Sequence, residues 1–162
     1  MPRILPALIV AAVLLAGCAA LDRRPAVQPG QSEAEALSMM GQPTGRYASP
    51  DGGTRLEYAT GPAGKTTQMV DLDASGKVRL VTQVLNERNF GTLLAGTPRS
   101  EVLFRYGRPS EQRTIWRQAQ IWRYRYESHF CTIFVVTLEP EGGPVRDTGF
   151  APDPICEDLR RG

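Results

Sequence analysis

Between Thr97 and Pro109 the apolar positions Val102, Leu103 and Tyr106 recur at spacings that place them on one side of a 3.6-residue helix. Thr97 is placed as an N-cap with Pro98 at the first helical position, while Gly107 and Pro109 close the helix and prevent its resumption. The same pattern occurs earlier in weaker form. Ala34, Leu37 and Met40 make the stripe, and Gly41 with Pro43 makes the stop. Helices of about ten residues are marginal alone, so both must pack on the strands that follow them.

The two segments are copies. Gly30 matches Gly96, Glu35 matches Glu101, Leu37 matches Leu103, Gly41 matches Gly107 and Pro43 matches Pro109, always 66 positions apart. The offset persists beyond the helix: Leu56 falls on Trp122, Tyr58 on Tyr124, Leu72 on Leu138, Asp73 on Glu139 and Gly76 on Gly142. A constant offset of this length is the mark of a duplicated structural unit.

After each helix the period changes from 3.6 to 2. In the first unit, Tyr47 to Gly53 reads as a turn cluster. Strands are expected at Thr54 to Thr60, Thr66 to Asp73 and Lys77 to about Leu85, joined at Gly61 to Gly64 and Asp73 to Gly76. In the second, Ile121-Trp-Arg-Tyr-Arg-Tyr126 alternates cleanly, with Trp122 and Tyr124 expected to face the helix and Arg123 and Arg125 to face away. An even offset preserves this parity, so Leu56 and Tyr58 should face their own helix. Ile133 and Val135 make the next strand apolar on both faces, which calls for a cover, and the tail Phe150 to Cys156 is expected to supply it. Asn86 to Leu94 reads as a short helical lead-in. The fold class expected is α+β: two tandem repeats, each a short helix or helical pair on a three- to four-stranded antiparallel meander.

The N-terminus adds a compartment. Arg3, a mostly apolar run from Ile4 to Leu15 and small residues before Cys18 form a targeting segment too short to span a bilayer. Leu15-Ala-Gly-Cys18 resembles the lipobox of bacterial lipoproteins. That resemblance implies cleavage after residue 17, acyl chains on Cys18 and, with Ala19 following, delivery to the outer membrane. The expected organisation is a signal peptide at 1–17, a tether at 18–28, a first repeat at 29–85 and a second at 86–162, ending in a charged stretch from Asp158. Cys131 and Cys156 are then the two remaining thiols in an oxidising compartment, and a disulfide between them is expected.

Composition narrows the chemistry. A net charge of +2, about +1 once Arg3 is removed, is too balanced to indicate nucleic acid. His129 is the only histidine; it lies two residues from Cys131, with no further donors in sequence to complete a zinc site. Phosphate loops, nucleophile elbows and dinucleotide fingerprints are absent from the sequence. Asp71, Asp73, Glu139 and Glu141 read as solvated hairpin residues, and Glu35 and Glu101 as carboxylates favoured at helix starts. No catalysis, metal or cofactor is expected beyond the lipid on Cys18. The remaining candidate surface is cationic and aromatic: Arg113, Trp116, Arg117, Arg123 and Arg125, a combination suited to a protein partner or anionic headgroups.

Gly96-Thr-Pro-Arg-Ser-Glu-Val with Tyr106-Gly-Arg-Pro109, followed by Ile121-Trp-Arg-Tyr124 and a glycine turn, resembles the SmpA/OmlA (BamE-like) outer-membrane lipoproteins. The resemblance implies helices on an antiparallel sheet, a lipid-anchored module facing the periplasm, and contact with outer-membrane lipid and an envelope protein. The role it implies is accessory to outer-membrane protein assembly or envelope integrity. A tandem pair of such units also resembles the β-lactamase inhibitor protein, which implies the alternative of binding a periplasmic enzyme through a sheet surface.

Overall fold

The computed structural model describes residues 26–156. The expected signal peptide, Cys18, most of the tether and the charged C-terminal end lie outside the described residues.

The elements are α1 (Glu33–Met40), β1 (Gly45–Ala48), β2 (Thr54–Ala59), β3 (Thr67–Leu72), β4 (Val78–Gln83), α2 (Glu87–Phe90), α3 (Arg99–Tyr106), β5 (Glu111–Thr114), β6 (Gln120–Arg125), β7 (Thr132–Leu138) and β8 (Val145–Pro152). Strands β1 to β4 form one antiparallel four-stranded meander and β5 to β8 another. The fold is α+β, two repeats of a helix followed by a meander sheet. The offset of 66 carries the bounds of α1, β1 and β2 onto those of α3, β5 and β6 end to end. Both sheets shift register at the same place, Asp71/Leu72 and Thr137/Leu138. Beyond it the offset grows by one, because Leu72 faces Val78 whereas Leu138 faces Val145 across a longer turn.

The glycines that mark the repeat do the same work twice. Gly41 and Gly107 cap their helices with φ of 80° and 75°, each donating its N–H to the leucine carbonyl four residues back. Tyr58 Oη then donates to Gly41 O at 3.4 Å, and Tyr124 Oη to Gly107 O at 3.1 Å. One tyrosine thus ties each second strand to the end of its helix.

Where the copies differ, the start of the helix changes. Ser32 caps α1 in a reciprocal capping box with Glu35. Its counterpart is Pro98, which caps α3 without a side-chain bond; Thr97, expected in that role, turns its hydroxyl to Leu94 O. Glu101, freed from capping, accepts from Arg105 Nε at 2.7 Å. The expected stripe of α1 is also corrected. Ala34 is exposed, and Ala36, at the position of Val102, is the residue buried completely.

Three expectations about strands change. Tyr47 and Ala48 belong to β1 rather than to a turn, and β5 is its counterpart. Phe150 to Pro152 do not cover a face of β7; they extend β8, which pairs with β7 edge to edge. Asp71 is not solvated but buried and ion-paired with Arg55.

Leu56, Val70, Leu72 and Val78 of the first sheet bury against Ala36, Met39 and Met40 of α1. The second core is aromatic. The Phe90 ring stacks on Phe134 at 4.2 Å and meets Tyr106 and Tyr126 edge-on at 5.4 and 5.3 Å. Such pairs contribute about 0.5–1.5 kcal/mol each beyond their burial. Met69, Val84 and Leu85 of the first unit belong to this second core. The molecule is therefore stacked as α1, first sheet, α3, second sheet, with α3 packed on both sides.

Candidate functional site

The interface between the units is built from polar residues of the first sheet's far face. Arg55 forms a bidentate ion pair with Asp71, donates from Nη1 to Phe104 O at 3.0 Å and lies 4.3 Å from the Phe104 ring centroid. Glu57 is wholly buried and accepts from the Tyr47 hydroxyl and from Arg108 N–H at 3.1 Å. Burial, reinforced by the bond to Glu57, raises the Tyr47 phenol well above its ordinary range, so it stays protonated and donating. A small cleft of about 310 Å³ opens beside Glu57, between Thr44, Thr67, Leu85 and Ser110. These groups fasten one unit to the next: one oxygen of Glu57 reaches Arg108 across the interface, and the other is held by Tyr47 within the first unit. The sequence signal that could have found them is the pair of charges two apart on β2, Arg55 and Glu57, although alternation does not say what lies beyond the polar face.

The five cationic and aromatic candidates divide. Arg113 is exposed on β5 opposite Ile121. Arg123 shares the same face on β6, paired with Glu111 at 2.9 Å, both partly open to water. Trp116 is 80% exposed on the turn between the two strands, with the Arg117 guanidinium 4.3 Å over its ring. Arg125 does not belong with them. Its side chain is largely buried, paired with the buried Asp153 at 3.1 Å, and donates to Pro62 O at 2.7 Å in the first unit. Arg123 and Arg125 do point away from the helix-covered face, but Arg123 is the more open to solvent of the two.

Cys131 and Cys156 form the disulfide, with their Cα atoms 6.2 Å apart. Beside it Asp153 N–H donates to Cys131 O at 2.8 Å, so the bridge and the Arg125 pair hold the chain end at one edge of the second sheet. His129 is exposed, and among the described residues no three His, Cys, Asp or Glu side chains gather as a metal site requires. No described helix is long and apolar enough to cross a membrane.

The free face of the second sheet, with Ile121, Arg123, Val135 and Arg113 in register across three strands, is the arrangement with most capacity for contact. It offers a guanidinium pair, an apolar centre that keeps part of its surface open and a tryptophan at one end.

No family model and no curated protein matches the chain. Among solved structures, a cysteine-rich secretory protein from Staphylococcus aureus overlaps 82% of this chain and 47% of its own, at 12% identity and a TM-score of 0.30. An extracellular protein containing an SCP domain from Bacillus anthracis overlaps 86% and 52%, at 10% identity and a TM-score of 0.31. The chain spans about half the length of these proteins.

Proposed function

We propose that this chain is a non-catalytic binding lipoprotein of the SmpA/OmlA kind, anchored through Cys18 in the outer membrane and facing the periplasm. It engages an envelope partner through the second unit, as an accessory of outer-membrane protein assembly or envelope integrity. The observation that supports this is the asymmetry of the two sheets. Each has one face on its own helix; the other face of the first sheet is closed by α3, whereas the same face of the second is covered only in part, around Ile133 and Arg125, and carries Arg113 and Arg123 beside an exposed Trp116. Arg and Trp are the residues most often found as interface anchors.

The test has two parts. Labelled palmitate should enter the wild type and not Cys18→Ser; equal labelling of both removes the anchor. Crosslinked outer membranes should yield barrel-assembly proteins with the wild type and markedly less with Arg113→Ala/Arg123→Ala. Recovery of one soluble periplasmic hydrolase instead would favour the inhibitor reading, and binding to anionic vesicles alone would make lipid the ligand.

A further inference from the structure

We infer that the free face of the second sheet docks a short amphipathic helix of another protein, its C-terminal end lying over Arg123, as the first sheet docks α3. This rests on the binding reading above and names the kind of partner.

The first sheet shows what its far face accepts. An eight-residue helix lies across it, with Phe104 against Arg55, Met69 buried beneath, and the chain after Gly107 donating Arg108 N–H to Glu57. Repeat equivalence and strand register place Ile121 where Arg55 stands, Arg123 at Glu57, Val135 at Met69 and Arg113 at Tyr47. Met69 is fully buried by its occupant, whereas Ile121 and Val135 keep part of their surface open. Three strands at a spacing of about 4.8 Å are as wide as about two turns of helix are long, so the footprint suits a helix of about the length of α3.

The change of sign fixes the chemistry. Glu57 accepts a backbone N–H beyond the helix end; Arg123 can only donate. A helix lying the same way therefore offers Arg123 its last, unpaired carbonyls, the negative end of its dipole, or an acidic side chain in its final turn. The Arg123–Glu111 pair is partly open to water, and such pairs hold only weakly, so Arg123 is readily redirected. The occupant is thus acidic towards its C-terminal end and apolar at its centre. The α1 helix of a second copy does not meet this description. Its outward positions are Ala34 and Ser38, too small to fill the space over Ile121 and Val135, and its acids Glu33 and Glu35 are held by Arg46 and Ser32.

The experiment is photo-crosslinking in cells expressing the full chain, with p-benzoylphenylalanine at Ile121 or Val135, at Arg117, and at Gln112 as an exposed control on the opposite face. Crosslinks from 121 and 135 should map by mass spectrometry to one acidic helical segment of one other protein. Their yield should fall about tenfold with Arg123→Glu and less with Arg123→Ala, whose unfolding midpoint should match the wild type's. That segment, made as a peptide, should shift the amide resonances of Ile121, Arg123 and Val135. No crosslink above the Gln112 level overturns the inference, as do crosslinks to lipid, to a second copy or to residues 157–162 of the same chain. Crosslinks from Arg117 alone would leave the binding reading standing and remove the helix.

Discussion

Gly41 and Gly107 share one backbone conformation, and a single methyl group should tell them apart. A Cβ at Gly41 would meet nothing within 4 Å, while one at Gly107 would lie 2.7 Å from Glu57 Cδ. Gly41→Ala is expected to lose about 1–2 kcal/mol from its left-handed backbone alone. Gly107→Ala should lose about 1–3 kcal/mol more, from overpacking against a buried carboxylate; equal losses in urea unfolding would show that the interface yields freely. Arg125→Ala should cost about 3–5 kcal/mol, because it strands the buried Asp153 charge. Arg125→Ala/Asp153→Ala should recover part of that, and a loss below 0.5 kcal/mol in the single variant would mean the pair is solvated after all. Acid offers a third measurement. Asp51 is held down to about 2, against an ordinary 3.8, by the Ser49 hydroxyl first and Arg79 next; Glu35, Asp73 and Asp147 are lowered too, each mainly by a side-chain partner. Groups depressed in the folded state stabilise it above the unfolded value, and that contribution is lost as pH falls through the folded one. The urea midpoint should thus fall between about pH 4 and 2, and Asp51→Asn should flatten the decline; an unchanged slope would assign it elsewhere.

At the scale of elements, α1 and α3 occupy equivalent spans but begin differently. Pro98 stands where Ser32 caps α1, and Glu101 stands where Glu35 completes the box. Pro98→Ser is expected to restore the capping box and raise stability by about 0.5–1 kcal/mol, less whatever is lost when Glu101 leaves Arg105. A lower thermal midpoint would show that the fixed φ of proline matters more than the missing bond. Both helices, their glycine stops and the parity of β2 and β6 were legible in the sequence, because each rests on local periodicity or on a residue only glycine replaces cheaply. The edge strands were not. Gly45-Arg-Tyr-Ala48 and Glu111-Gln-Arg-Thr114 are four residues long and mostly polar, as edge strands that discourage further pairing tend to be. The end of β8 was hidden likewise: Gly149, Pro152 and an exposed Phe150 read as tail, and only pairing with β7 makes them strand.

At the scale of the molecule, the stacking of one unit on the next was out of reach of the sequence. Arg55, Glu57 and Asp71 alternate with apolar residues just as solvent-facing side chains do, and only the arrival of α3 turns them into a buried interface. The outward facing of Arg123 and Arg125 was read from the same alternation, which gives the face but not its cover: Arg125 is enclosed by Asp153 and Pro62. Because Met69, Val84 and Leu85 sit in the second core, the second unit does not own its hydrophobic interior, and the first leaves part of its apolar surface to it. Units of about 60 residues bury too little surface to be stable with such a face uncovered. Calorimetry of the described region should therefore show one cooperative transition, with calorimetric and van't Hoff enthalpies equal. Leu56→Ala in the first core and Val136→Ala in the second should lower that same transition, each by about 2–4 kcal/mol. Met69→Asp, which places an unpaired charge between the first sheet and α3, should abolish amide protection in both sheets at once. Two separable transitions, or protection lost from the first sheet alone, would mean that the units fold independently and that α3 merely rests on the face it covers.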